Sequence, residues 1–133
     1  MSLPRIITFK KTGGNEIGYL VPTEEFKEIP FSIKRTFWTY QIPNGVTRGG
    51  HAHHLTQQVL ICIHGLIQVE TTEKNGDKEI FVLDSPHIGL YLPPASWHTM
   101  TYSNNAIQLV LASELYDEKD YIRNFSSFIN PNE

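Results

Sequence analysis

The sequence predicts an all-β fold, a sandwich or barrel of short strands, and three observations carry that expectation. Short apolar or alternating runs recur along the chain, clusters of Gly, Pro and Asn punctuate them, and no repeat, low-complexity tract or linker interrupts them. With 133 residues, 40% of them hydrophobic, the chain suits a single domain over 1–133 that buries a core without disulfide staples.

Taken in order, candidate strands cover residues 5–10, 18–21, 31–41, 57–63, 66–72, 79–83, 89–92, 98–102 and 107–112. Within 66–72 the apolar residues alternate, whereas 59–63 and 109–112 are continuous and fit strands covered on both faces. Turns are expected at Pro43-Asn44-Gly45, at His64-Gly65 and at Asn75-Gly76-Asp77, where residues that tolerate left-handed backbone stand between strands. Only the tail from Asp117 has helical spacing, through Ile122, Phe125, Phe128 and Ile129, with Pro131 ending it.

Composition narrows the function. A net charge of -3 leaves no basic excess to neutralise a run of phosphates, so no nucleic-acid partner is expected. The one cysteine, Cys62, lies in the apolar run Val59-Leu60-Ile61-Cys62-Ile63 and reads as a small buried residue. Neither a leader pattern nor an apolar run approaching the ~20 residues of a membrane span is present, which makes a cytoplasmic protein with no membrane contact the expectation. A P-loop and a GxGxxG before a helix are also missing, so no nicotinamide-type cofactor is implied.

The histidines carry the chemistry. In a strand, residues two apart share a face, so His51 and His53 project together while Ala52 and His54 point the other way. Imidazole exchanges protons near neutral pH and also ligates transition metals, so this pair serves either acid-base or metal chemistry. His64 and His87, at apparent turns, are expected to be solvated.

The spacing Gly45, His51, His53, Gln58, Gly65 resembles the first cupin motif, and Pro93, Ala95, His98, Asn104 resembles the second. That resemblance implies a cupin-type double-stranded β-helix, a jelly-roll barrel with a short C-terminal helix, in which His98 comes toward His51 and His53. Gln58 stands where metal-binding cupins place a glutamate, and an uncharged amide is a poor ligand for a divalent cation. No metal site is therefore expected.

Longer blocks are more specific. Arg48-Gly49-Gly50-His51-Ala52-His53, the run 57–65, Gly89-Leu90-Tyr91-Leu92-Pro93-Pro94 with Trp97-His98, and Tyr116-Asp117-Glu118-Lys119-Asp120-Tyr121-Ile122-Arg123 resemble the dTDP-4-keto-6-deoxy-D-glucose 3,4-ketoisomerases, or WxcM-like cupins. The resemblance implies a metal-independent isomerase that moves a sugar carbonyl from C4 to C3, on the route to 3-amino-3,6-dideoxyhexoses. It also implies a homodimer, with which an N-terminal strand at 5–10 exchanged between subunits is compatible.

On that reading His51 is the base and His53 an orienter or second proton carrier, although the sequence gives no physical ground for the order. Tyr40 is the candidate relay; it shares parity with Trp38, and both read equally well as the inward apolar face of their strand. Arg48, with Arg35 as a weaker choice, would pair with the diphosphate. Trp38, Gln58 and His98 complete the candidate substrate contacts, with Tyr91, Trp97 and Tyr102 available to stack on thymine. A metal enzyme using His51, His53 and His98, and a non-catalytic sugar-binding module, remain alternatives.

Overall fold

Two long strands organise the molecule, and both are longer than the sequence pattern indicates. The computed structural model describes residues 2–131. In chain order the strands are β1 (Arg5–Thr8), β2 (Thr12–Gly14), β3 (Gly18–Leu20), β4 (Arg35–Thr39), β5 (Thr47–His53), β6 (Gln58–Thr72), β7 (Lys78–Leu83), β8 (Ile88–Leu92), β9 (Trp97–Ala112) and β10 (Tyr121–Ile122), followed by helix α1 (Phe125–Ile129). β6 and β9 run antiparallel from Gln58 opposite Ala112 to Thr72 opposite Trp97, with register shifts around His64.

The expected turn at His64-Gly65 is thus a bulge inside β6. Gly65 has a φ of +85°, and a Cβ there would stand 2.7 Å from the Cα of Ala106 and the carbonyl oxygen of Asn104. Glycine is needed because β9 passes too close for any side chain. Opposite it, Asn104 and Asn105 take left-handed backbone within β9, so 98–102 and 107–112 are two halves of one bent strand. The Asn75-Gly76 turn closes the hairpin between β6 and β7, with Gly76 at φ +93° and the Asp77 amide donating to Asn75 Oδ1.

The main sheet has the order β1-β8-β6-β9-β5-β10, with β4 on β9 and β7 on β6, and all its pairings are antiparallel. Alternate residues of the continuous run at the start of β6 serve two clusters. Leu60 and Cys62 join Ile67, Leu90, Tyr102 and Val110, while Val59 and Ile61 join Phe9, Ile29, Phe31 and Leu111. Burial pushes the Cys62 thiol up to about 11, which keeps it an inert apolar filler. The fold is an all-β jelly roll with a short C-terminal helix.

In this chain β1 pairs with its own β8, from Arg5 opposite Tyr91 to Thr8 opposite Ile88. The tail departs from the helical expectation. Glu118–Asp120 forms a 3-10 turn, Ile122 lies in β10 opposite Ala52, and a helix starts only after Asn124, whose side chain accepts from the Ser127 amide. No helix among the described residues is long and apolar enough to cross a membrane.

Candidate active site

β5 delivers two imidazoles to the barrel mouth, and its backbone explains how. Gly49 and Gly50 both have positive φ, and the pairing with β9 shifts register between Gly49 and His51. After the bulge His51 stands opposite His98 of β9, and two residues on His53 stands opposite Tyr121 of β10. The ring centroids of His51 and His53 are 5.0 Å apart, His51 and His98 4.7 Å, and His53 and His98 6.1 Å.

Burial keeps these rings neutral. Desolvation, followed by the neighbouring His98 and His53, lowers His51 to about 3. His53 falls to about 4, chiefly by desolvation and then by His98, with the Asp120 carboxylate opposing the fall. His98 also falls to about 4 by desolvation, against the Ser96 carbonyl 3.1 Å from its Nδ1. Since a carbonyl only accepts, Nδ1 of neutral His98 carries the proton and Nε2 keeps a free lone pair.

Among the described residues, four buried side-chain polar atoms lack a hydrogen-bond partner: Arg35 Nε, Thr39 Oγ1, His51 Nδ1 and His53 Nε2. Two are the imidazoles, Thr39 lines the adjoining cavity, and Arg35 is charged and near enough to act on His53. Unsatisfied buried polar atoms are costly, and their concentration in one place marks a site shaped for a ligand. That cavity measures about 200 Å³ and is walled by His51, His98, Gln58, Tyr102, Gln108 and Tyr121, with Arg48 and Arg123 also at its edge. At roughly 30 Å³ per water it has the volume of about seven waters, room for one sugar ring. A larger crevice of about 680 Å³, between residues 2–4 and the β6–β7 hairpin, contains none of the histidines.

The structure redistributes the expected residues. His51, Arg48, Gln58, His98 and Tyr102 line the cavity, and His53 packs behind His51. Arg35 lies with its guanidinium over Phe37 and Tyr116, outside the cavity lining. Trp38 and Tyr40 must be withdrawn from the site. β4 pairs Phe37 with interior Val110 and Trp38 with Leu109, so Phe37 and Thr39 face inward while Trp38 and Tyr40 face out, about 60% exposed. Tyr91 is withdrawn too, because it belongs to the Phe9 cluster, lies under Arg5 and donates its hydroxyl to Gln57. Trp97 instead packs on Phe125 and Phe128, where it holds α1 in place. His64 is exposed but within β6, and His87 is half-buried with its Nδ1 2.6 Å from Ser85 Oγ.

Side chains that the sequence reading left unassigned complete the site. Tyr121 lies 5.1 Å from His51 and 4.5 Å from His53, ring to ring, with the Arg123 guanidinium 4.3 Å from its centroid. Arg123 pairs with Glu118 at 2.6 Å. Asp120 ties this segment down: its carboxylate accepts from the Leu55 amide at 2.7 Å, the Thr56 amide at 3.1 Å and the Thr56 hydroxyl. The specific block 116–123 is the available signal, and the helical spacing that runs from Asp117 through Ile122 to Ile129 masks the strand within it. Among the described residues no group of three or more His, Cys, Asp or Glu side chains is arranged to hold a metal ion.

Known proteins place this arrangement. The family model described as "WxcM-like, C-terminal" (FdtA) matches residues 2–133. The chain belongs to the WxcM-like family. This WxcM-like chain is 45% identical over 125 residues to the TDP-4-oxo-6-deoxy-alpha-D-glucose-3,4-oxoisomerase of Aneurinibacillus thermoaerophilus, covering 93% of this chain and 88% of that protein. Among solved structures it is similar to a histidine-to-asparagine variant of the 3,4-ketoisomerase QdtA of Thermoanaerobacterium thermosaccharolyticum in complex with TDP-4-keto-6-deoxyglucose. That match has 36% identity and a TM-score of 0.92 over 98% of this chain and 94% of the other. It also resembles the WlaRB TDP-quinovose 3,4-ketoisomerase of Campylobacter jejuni, with 35% identity and a TM-score of 0.89 over 97% and 98% of the two chains.

Proposed function

We propose that this WxcM-like chain is a sugar-nucleotide 3,4-ketoisomerase that moves the carbonyl of dTDP-4-keto-6-deoxyglucose from C4 to C3 through an enediol. The observation that carries the reading is a neutral, desolvated His51 facing a cavity of one-sugar size, in a chain 45% identical to an oxoisomerase for such a sugar. A hydrogen alpha to a ketone is acidic enough for a positioned imidazole to remove. His51 takes the C3 proton, the enediol forms, and the proton is returned to C4. His53 orients His51 or carries the second proton, with Asp120 supporting its charged form.

The resting basicity of His51 is low, chiefly through desolvation and the two neighbouring histidines, and substrate binding relieves one of the smaller causes. Arg123 is among the charges that depress His51, and a diphosphate drawn to Arg48 and Arg123 cancels that influence as it binds. Arg35 serves as a further cation for the anion, and Gln58, His98 and Tyr102 supply polar contacts to the sugar. The reaction is redox-neutral and requires neither a nicotinamide nor a metal. We place the enzyme in the cytoplasm, as a single domain and a homodimer, with β1 able to keep its register on the partner's β8.

Incubation with dTDP-4-keto-6-deoxyglucose, followed by NMR, tests the assignment. A new C3 carbonyl with loss of the C4 carbonyl is expected. Unchanged substrate would refute it, and inversion at C3 or C5 with the C4 carbonyl retained would make the chain an epimerase.

A further inference from the structure

The geometry points to Tyr121 as a second catalytic residue, the proton carrier between the two sugar oxygens, a role that rests on the isomerase reading above. Carbonyl migration requires two kinds of proton movement. One is between carbons: the C3–H bond breaks and a C4–H bond forms. The other is between oxygens, because the C4 carbonyl oxygen gains a hydrogen and the C3 hydroxyl loses one. An imidazole engaged with the carbon-bound proton cannot at the same time serve the oxygens, so a second group is needed.

His53 packs behind His51 and outside the cavity lining, which leaves the tyrosines to decide which group that is. Of the six in the chain, four have committed hydroxyls: Tyr19 donates to Asn15, Tyr91 to Gln57, Tyr102 to Gln108 and Tyr116 to Glu118. Tyr40 faces away from the cavity. Tyr121 alone combines a place in the cavity wall with a hydroxyl that has no partner among the described residues. Its ring packs edge-on to both His51 and His53, and Arg123 puts a positive charge beside a ring that must pass through a negative state. The pairing with His53 and the Asp120 anchor fix the strand that carries it.

The protons balance. His51 takes the C3 proton while the Tyr121 O–H bond breaks and its proton goes to the C4 oxygen, giving the enediol and a phenolate. The phenolate then takes the proton of the C3 hydroxyl, the C3 carbonyl forms, and C4 receives a proton from the imidazolium. Tyr121 and His51 end as they began, and no electrons leave the substrate.

Tyr121→Phe keeps the ring and removes only the hydroxyl, so packing against the histidines survives. Wild type and variant are incubated with dTDP-4-keto-6-deoxyglucose in D2O. NMR then gives deuterium wash-in at C3 of the recovered substrate and formation of the 3-keto product. The expected result is isomerisation and wash-in at C3 both slowed by 100-fold or more, with binding of TDP unchanged. Isomerisation at the wild-type rate would overturn the proposal, as would a fall in rate accompanied by weakened TDP binding, which describes a merely positioning ring. If wild type neither exchanges nor isomerises, the isomerase reading itself fails. Should the Phe variant fold poorly, 3-fluorotyrosine at 121 supplies the second measurement: its more acidic phenol should move the basic limb of kcat to lower pH, and an unmoved limb overturns the role.

Discussion

Gly49 and Gly50 make a matched pair for testing how the backbone aims His51. Both have left-handed φ, +87° and +78°, so alanine at either site carries the conformational cost of about 1–2 kcal/mol for an L residue there. Their surroundings differ. A Cβ at Gly50 meets nothing within 4 Å, whereas one at Gly49 would lie 2.9 Å from the His98 carbonyl oxygen, 3.2 Å from Met100 Sδ and 3.3 Å from the Thr99 Cα. Two of those neighbours are backbone of β9 and can yield only by moving the strand that holds His98. Overpacking of that kind adds about 1–3 kcal/mol. Gly50→Ala should therefore cost about 1–2 kcal/mol and Gly49→Ala about 2–5 kcal/mol, read from urea unfolding midpoints at unchanged m. Because the Gly49 clash separates the two strands that carry His51 and His98, its alanine variant should also lose more kcat than its partner does. Equal destabilisation, or a larger effect at Gly50, would refute the view that close approach to β9 sets the bulge.

Other outcomes follow from the same geometry. Because burial holds His51, His53 and His98 neutral, the folded chain binds fewer protons than the unfolded one below the ordinary value of 6.5. Stability should be full above that pH and fall as pH drops toward about 4, by about 3 kcal/mol for His98 alone; a flat stability curve from pH 7 to 4 would contradict this. For the same reason the acid limb of kcat/KM should lie near pH 4 or below, and a limb near 6.5 would place the base in water. Asp120→Ala leaves two amides and a hydroxyl without their acceptor and should cost about 2–3 kcal/mol in chemical denaturation, with kcat reduced as β10 loosens. Activity should survive exhaustive chelation, whereas loss that is restored by a divalent cation would turn His51, His53 and His98 into metal ligands.

The parts legible in the sequence are those in which local chemistry agrees with the fold. Asn75-Gly76 announced its hairpin because the turn needs left-handed backbone and nothing else competes for glycine there. Gly65 carries the same local signal, yet its glycine answers to β9 passing 2.7 Å from the missing Cβ, a long-range fact with no trace in neighbouring residues. Trp38 and Tyr40 mislead for a related reason: an inward face is usually the apolar one, but in β4 the inward residues include Thr39, which lines a polar cavity. The histidine pair was readable because strand parity is set by adjacent residues. Tyr121 was not, since its place depends on Asp120 reaching back to Leu55 and Thr56 and on Asn124 delaying the helix.

The central claim is that the His51 imidazole removes a carbon-bound proton inside the small cavity. Solvent exchange by His51→Asn in D2O with dTDP-4-keto-6-deoxyglucose tests it, and binding should be retained with deuterium at C3 suppressed by 100-fold or more. Wash-in at the wild-type rate in that variant would contradict it.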